Sequence, residues 1–201
     1  MKIAIDVDGT IANSSEYEIA HGWQFLKRKN TNFEMQLPAN TNDAFLTFNF
    51  SDQQGREFYK RHRGAVMKQE LIYPKPYVKE SFEKLLEMGH EIVILTLRSD
   101  ANWNGDSKAE TEKWLNRFDI PFSKCVANCA EKGQFCKENN IDLLIEDTPE
   151  KVKQANSLEI KTMLILADYN KDYSHKLNTF ACCWPEVIFK LTGEFLEEND
   201  I

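Results

Sequence analysis

The chain has 201 residues, 42% of them hydrophobic and 28% charged, with a formal charge of -7 at neutral pH. That length fits one domain, or one core with a smaller insertion, and suffices to bury a substantial core. The acidic balance excludes a broad footprint on polymeric nucleic acid, and no apolar run approaches the roughly 18 residues that a membrane-spanning helix needs, so neither nucleic acid nor membrane is an expected partner.

The chain begins MKIAIDVDGT. Its first residues lack the apolar stretch and small-residue cleavage site of a secretory signal, so a cytoplasmic protein is expected. Lys2 to Val7 reads as a strand. The interval 13–76 is rich in Asn, Gln, Lys and aromatics, with helices expected over Glu16 to Lys29 and Ser51 to Lys68 and a loop over Asn30 to Asn49 around Pro38. Thereafter helical and strand patterns alternate: a helix over Tyr77 to Met88, a strand over Glu91 to Leu97, a helix over Lys108 to Phe118 and a strand over Lys124 to Ala127. Then come a helix over Lys132 to Asn139, a strand over Asp142 to Ile145, a helix over Pro149 to Gln154, and strands over Lys161 to Leu166 and Thr179 to Cys183.

Most of these strands are apolar on both faces, as strands are when helices cover a parallel sheet on both sides. The expected fold is therefore α/β: a doubly wound, Rossmann-like parallel sheet with helices on both faces and a small, mainly helical cap inserted after the first strand. The core would comprise residues 1–12 and 77–201, and the cap residues 13–76. Cys125, Cys129, Cys136, Cys182 and Cys183 form no CxxC and have no histidines at zinc-finger spacing, which reads as reduced thiols.

In an open parallel sheet ligands bind beyond the carboxyl ends of the strands. There the first strand delivers Asp6 and Asp8, the second Thr96 and Arg98, the loop after the third leads to Lys132, and the fourth delivers Glu146 and Asp147. Two acidic clusters beside a hydroxyl and two cations suggest a Mg2+ site next to a phosphate site. The period of two along an extended chain puts Asp6 and Asp8 on one side with Val7 turned to the core. Asp147 can complete the coordination, and Gly9 lets the backbone turn and offer N–H groups to an anion. A calcium-loop reading of Asp6-Val7-Asp8-Gly9 fails, because the twelfth position is Tyr17 and a strand precedes it.

These residues resemble the motifs of the haloacid dehalogenase superfamily, and within it the 5'(3')-deoxyribonucleotidase-like group. Asp6-Val7-Asp8-Gly9-Thr10 is similar to DxDxT, and Ile92-Val93-Ile94-Leu95-Thr96 to an apolar strand ending in Thr. Lys132 and the acidic pair Glu146-Asp147 complete the set, the pair departing from the usual Asp-Asp. Thr111 to Phe122 and the segment EKGQFCKENNIDLLIEDTP resemble the nucleotidase group.

The resemblance implies a hydrolase that removes phosphate from a small phosphorylated substrate, expected to be a deoxyribonucleoside 5' or 3' monophosphate. Asp6 would be the nucleophile and Asp8 the acid and base. Thr96, Lys132 and Arg98 would bind phosphate, and Asp6, Asp8, Asp147 and Glu146 would supply Mg2+ ligands. In the cap, Trp23, Phe25, Phe33, Phe45, Phe48 and Phe50 either stack on a base or form the cap's own core, with Phe45 and Phe48 favoured as base contacts by their polar surroundings. The alternatives are a sugar phosphate or other small metabolite as substrate, a phosphomutase, or a non-catalytic binding module. A monomer or homodimer is expected.

Overall fold

The computed structural model describes residues 1–29, 47–58, 72–103, 105–167 and 169–193. Its strands are β1 (Lys2–Ile5), β2 (Glu91–Leu95), β3 (Lys124–Val126), β4 (Leu143–Glu146), β5 (Lys161–Ile165) and β6 (Asn178–Ala181). They form one sheet in the order β3-β2-β1-β4-β5-β6, with every neighbouring pair parallel. The described helices are α1 (Ser14–Arg28), α2 (Asp52–Phe58), α3 (Val78–Glu87), α4 (Asp100–Trp103), α5 (Ser107–Arg117), α6 (Lys132–Glu138), α7 (Pro149–Ser157) and α8 (Trp184–Thr192).

The double winding follows from the strand alternation. Ile3 and Ile5, with Ile92, Ile94 and Ile145, face a cluster built from Phe82 and Leu85 of α3, Leu115 of α5 and Trp184 and Ile188 of α8. The residues between them, Ala4, Val93, Leu95 and Leu144, face Cys136 of α6 and Ala155 of α7. Helices therefore cover both faces, as expected, and each large side chain buried this way contributes about 1.5–3 kcal/mol. No helix among the described residues is long and apolar enough to cross a membrane. All five cysteines are free, and burial pushes the Cys125 and Cys136 thiols up to about 11 and about 12.

Boundaries differ from expectation where side chains take over from periodicity. β1 stops at Ile5 because the chain then curls, the amides of Ile11 and Ala12 both donating to the Val7 carbonyl. α4 was not expected; its Asp100 accepts from the amide and hydroxyl of Ser107. α7 runs on to Ser157 because Ala155 belongs to its buried face.

The segment between β1 and α3 has a hydrophobic cluster of its own, formed by Phe25, Leu26, Phe48, Phe50 and Phe58. Of the two readings open for Phe48, base contact or interior, the structure shows the interior one: it is 2% exposed and stacked on Phe50 at a centroid separation of 5.3 Å. Gly22 of α1 makes room for it, since a Cβ there would meet the Phe48 ring at 2.1 Å. The reason is that a small unit must bury its few aromatics against one another, whatever polar residues flank them. Phe33, Phe45, most of the expected Asn30 to Asn49 loop and the end of the expected Ser51 to Lys68 helix lie outside the described residues.

Candidate active site

Because β1 lies between β2 and β4, the residues that follow these three strands meet at one edge. Asp6 continues the ladder for one bond, its amide donating to the Ile145 carbonyl at 3.0 Å, which places its carboxylate beside Glu146 and Asp147. Val7 is fully buried in the core, as expected.

Lys132, the first residue of α6, is 2% exposed and lies between two acids. Its Nζ donates to Asp6 Oδ1 at 2.5 Å and to Glu146 Oε2 at 2.5 Å. The other Glu146 oxygen, Oε1, accepts the amides of Asp147 at 3.2 Å and Thr148 at 3.1 Å. Glu146 is thus bonded on both oxygens by the protein, and it lies in the same carboxylate cluster as Asp6 and Asp147.

Asp147 is also oriented on both oxygens, Oδ1 accepting from the Thr10 hydroxyl at 3.0 Å and Oδ2 from the Tyr169 phenol. Its carbonyl accepts from Asn170 Nδ2 at 2.8 Å. The loop after β1 closes tightly over this carboxylate: Gly9 has φ of +81° and a Cβ there would lie 2.3 Å from Asp147 Oδ2. The glycine is needed for that approach rather than to offer a bare amide, because its N–H donates to the Ala12 carbonyl at 3.1 Å and to Ser14 Oγ at 3.0 Å.

Thr96 is 1% exposed at the end of β2, and its hydroxyl oxygen accepts the Arg98 amide at 3.3 Å. Arg98, expected at phosphate, bonds both oxygens of Asp8: Nε donates to Oδ2 at 2.8 Å and Nη2 to Oδ1 at 2.7 Å. Asp6 and Asp8 therefore leave the strand on the same edge but toward different cations.

The electrostatics of the centre are unbalanced. Oxygens of Asp6, Glu146 and Asp147 lie within 4.8 Å of one another, and among the described residues Lys132 is the one cation hydrogen-bonded within the cluster, leaving an excess of two negative charges if all ionise. Burial first, then the Glu146 carboxylate, pushes the Asp6 carboxyl up to about 7, against the opposing pull of Lys132. Burial also raises Glu146 and Asp147. Burial alone would lower the Lys132 ammonium, yet Asp6 and Glu146 together hold it above its ordinary value. A compact set of carboxylate oxygens with two surplus negative charges suits a hard divalent cation such as Mg2+.

Thr10 and Tyr169 were not anticipated as partners of Asp147, nor Thr111 as a partner of Arg98, whose Nη1 donates to its Oγ1 at 3.3 Å. Tyr169 and Asn170 lie just past β5 on the correct edge of the sheet, a positional signal, but nothing in DYNK itself points to a carboxylate partner. Thr111, on α5, had none.

No family model and no curated protein sequence matches the chain. Solved structures do share its fold. A phosphoglycolate phosphatase predicted in Haemophilus somnus superposes with a TM-score of 0.65 at 18% identity, covering 94% of this chain and 96% of that one. A haloacid dehalogenase-like hydrolase of Streptococcus pneumoniae gives 0.61 at 17%, covering 96% and 98%. CbbY of Rhodobacter sphaeroides, crystallised as a point mutant in complex with xylulose-1,5-bisphosphate, gives 0.59 at 13%, covering 91% and 94%. At such identities the likeness is one of fold.

Proposed function

We propose, on a fold shared with haloacid dehalogenase-like structures, that this chain is a Mg2+-dependent phosphomonoesterase acting through an aspartyl-phosphate. The observation that carries the reading is the placement of Lys132 Nζ 2.5 Å from Asp6 Oδ1 inside a buried carboxylate cluster. A buried ammonium there keeps one carboxylate oriented and lowers the repulsion that a phosphate dianion meets on approach.

An Asp6 carboxylate oxygen attacks phosphorus, the ester P–O bond breaks, and Asp8 gives its proton to the departing oxygen. Water then attacks the phosphoryl group with Asp8 taking its proton, which releases inorganic phosphate and restores Asp6. Thr96 and Lys132 bind phosphate oxygens, and Glu146 acts by holding Lys132. Asp6, the Asp8 carbonyl and Asp147 are the groups that would hold Mg2+. When bound, the ion neutralises charge on the transferred group.

For the leaving group, a nucleoside monophosphate rests on the likeness of Thr111 to Phe122 and of the EKGQFCKENNIDLLIEDTP segment to the nucleotidase group. A sugar phosphate is the second reading. It is favoured by the packing of Phe25, Phe48, Phe50 and Phe58 on one another, which takes those four rings away from a base. Phosphate release from a panel of nucleoside and sugar monophosphates, with Mg2+ and with chelator, tests both. Turnover of sugar phosphates alone rejects the nucleotide, and no turnover of any ester rejects the enzyme.

A further inference from the structure

The guanidinium of Arg98 is committed three ways. Besides its two bonds to Asp8, Nη1 donates to Thr111 Oγ1 at 3.3 Å, and the Thr111 hydroxyl donates to the Ser107 carbonyl at 2.7 Å, one turn back along α5. The Arg98 side chain is 3% exposed and that of Asp8 23%. Its backbone is tied as well, its amide to Thr96 Oγ1 at 3.3 Å and its carbonyl to the Asn128 amide at 2.7 Å. A planar fork bonded to both oxygens of a carboxylate fixes the plane of that carboxylate as well as its distance, which a single ammonium cannot do. Asp8 itself lies past the end of β1, in an isolated bridge with Ala12 just before the turn at Gly9 and Thr10, where an unheld side chain would sample several rotamers.

We propose that Arg98, anchored by Thr111, is a positioning residue that holds the Asp8 carboxyl at the angle from which it serves the leaving oxygen of the ester, rather than a ligand of the phosphate. The proposal rests on the phosphomonoesterase reading above. In the step concerned the Asp8 proton passes to the leaving oxygen as the ester P–O bond breaks and the Asp6–phosphorus bond forms; no electrons change hands beyond these bonds. Each Asp8 oxygen keeps a second lone-pair direction while Arg98 holds the first, so grip and proton transfer are compatible. Helix α5 is thereby coupled to the chemistry without touching substrate.

The dependence on Asp8 varies with the leaving group. p-Nitrophenolate departs with little protonation, whereas phenolate, whose parent phenol resembles a tyrosine with a pKa near about 10, needs the proton. The experiment measures kcat/KM for p-nitrophenyl phosphate and phenyl phosphate, with Mg2+, for the wild type, Arg98→Lys and Thr111→Val. Inhibition by inorganic phosphate and thermal unfolding are followed in parallel.

The expected result for Arg98→Lys is a loss on phenyl phosphate on the order of tenfold or more, a change within about threefold on p-nitrophenyl phosphate, and unaltered inhibition by phosphate. Thr111→Val follows in the same direction with a smaller loss, and it carries the test if Arg98→Lys does not fold. Equal losses on both esters, or weakened inhibition by phosphate, overturn the positioning role and leave the functional reading standing. A folded wild type that hydrolyses neither these esters nor any nucleoside or sugar monophosphate of the panel overturns both.

Discussion

Lys132 Nζ lies 2.5 Å from Asp6 Oδ1 and is almost wholly withdrawn from water, so the proposed nucleophile and the cation beside it are one electrostatic unit. Removing the cation while keeping the aliphatic stem, as in Lys132→Met, leaves Asp6 and Glu146 buried without their partner. Stopped assays are expected to show kcat reduced by about 10²- to 10³-fold. Calorimetry in chelator is expected to show a stability loss of about 3–5 kcal/mol.

Asp6→Asn separates chemistry from fold. The amide keeps an oxygen for Lys132 to bond but cannot form the phosphoryl ester, so turnover falls by at least about 10³-fold. It also removes one of the surplus buried charges, so the metal-free variant unfolds at the same temperature as the wild type or above it. Persisting activity would displace Asp6 as nucleophile.

The buried acids predict a pH signature. In the metal-free protein burial pushes the Asp6 carboxyl from 3.8 up to about 7 and raises Asp147 and Glu146 as well. A carboxyl with a raised folded pKa binds its proton more tightly when folded, so stability declines as pH rises from about 4 through about 7 and levels off beyond. Mg2+ compensates the ionised cluster, and its stabilising effect should grow over the same window. At a hundredfold excess over Kd it reaches about 2.7 kcal/mol, roughly 5 to 10 °C for a chain of this size. Scanning calorimetry at about pH 5 and about pH 8, with chelator and with Mg2+, measures both slopes. Equal Mg2+ effects at the two values would contradict the charge count.

Tyr169→Phe removes the phenol that donates to Asp147 Oδ2 and little else. Groups that orient a metal-binding carboxylate typically matter by 10- to 100-fold in metal affinity, and titration calorimetry with Mg2+ is expected to find weakening of about that size. An unchanged Kd would separate Asp147 from the metal, or Tyr169 from the orientation of Asp147.

What the sequence made legible was the part encoded in short spacings. Runs that are apolar on both faces marked a parallel sheet, and the rule that ligands gather at carboxyl ends brought Asp6, Thr96, Lys132 and Asp147 to one edge. What it hid depends on contacts across distance. The grip of Arg98 on Asp8 joins residues 90 positions apart, and the Thr10 to Asp147 bond spans 137. Gly9 looked like an anion-binding turn, but its amide closes its own loop and its missing side chain makes way for Asp147. Phe48 sat among polar residues, yet packing among the neighbouring aromatics decided its place.

The central claim is that Asp6 carries the phosphoryl group. Acid quenching of the Mg2+-loaded protein during turnover of a monophosphate ester, followed by peptide mass spectrometry, tests it most directly. The account predicts one added phosphoryl group on the peptide containing Asp6, labile to hydroxylamine and absent from Asp6→Asn. An enzyme that turns over substrate while its phosphoryl group is trapped on another residue would contradict it.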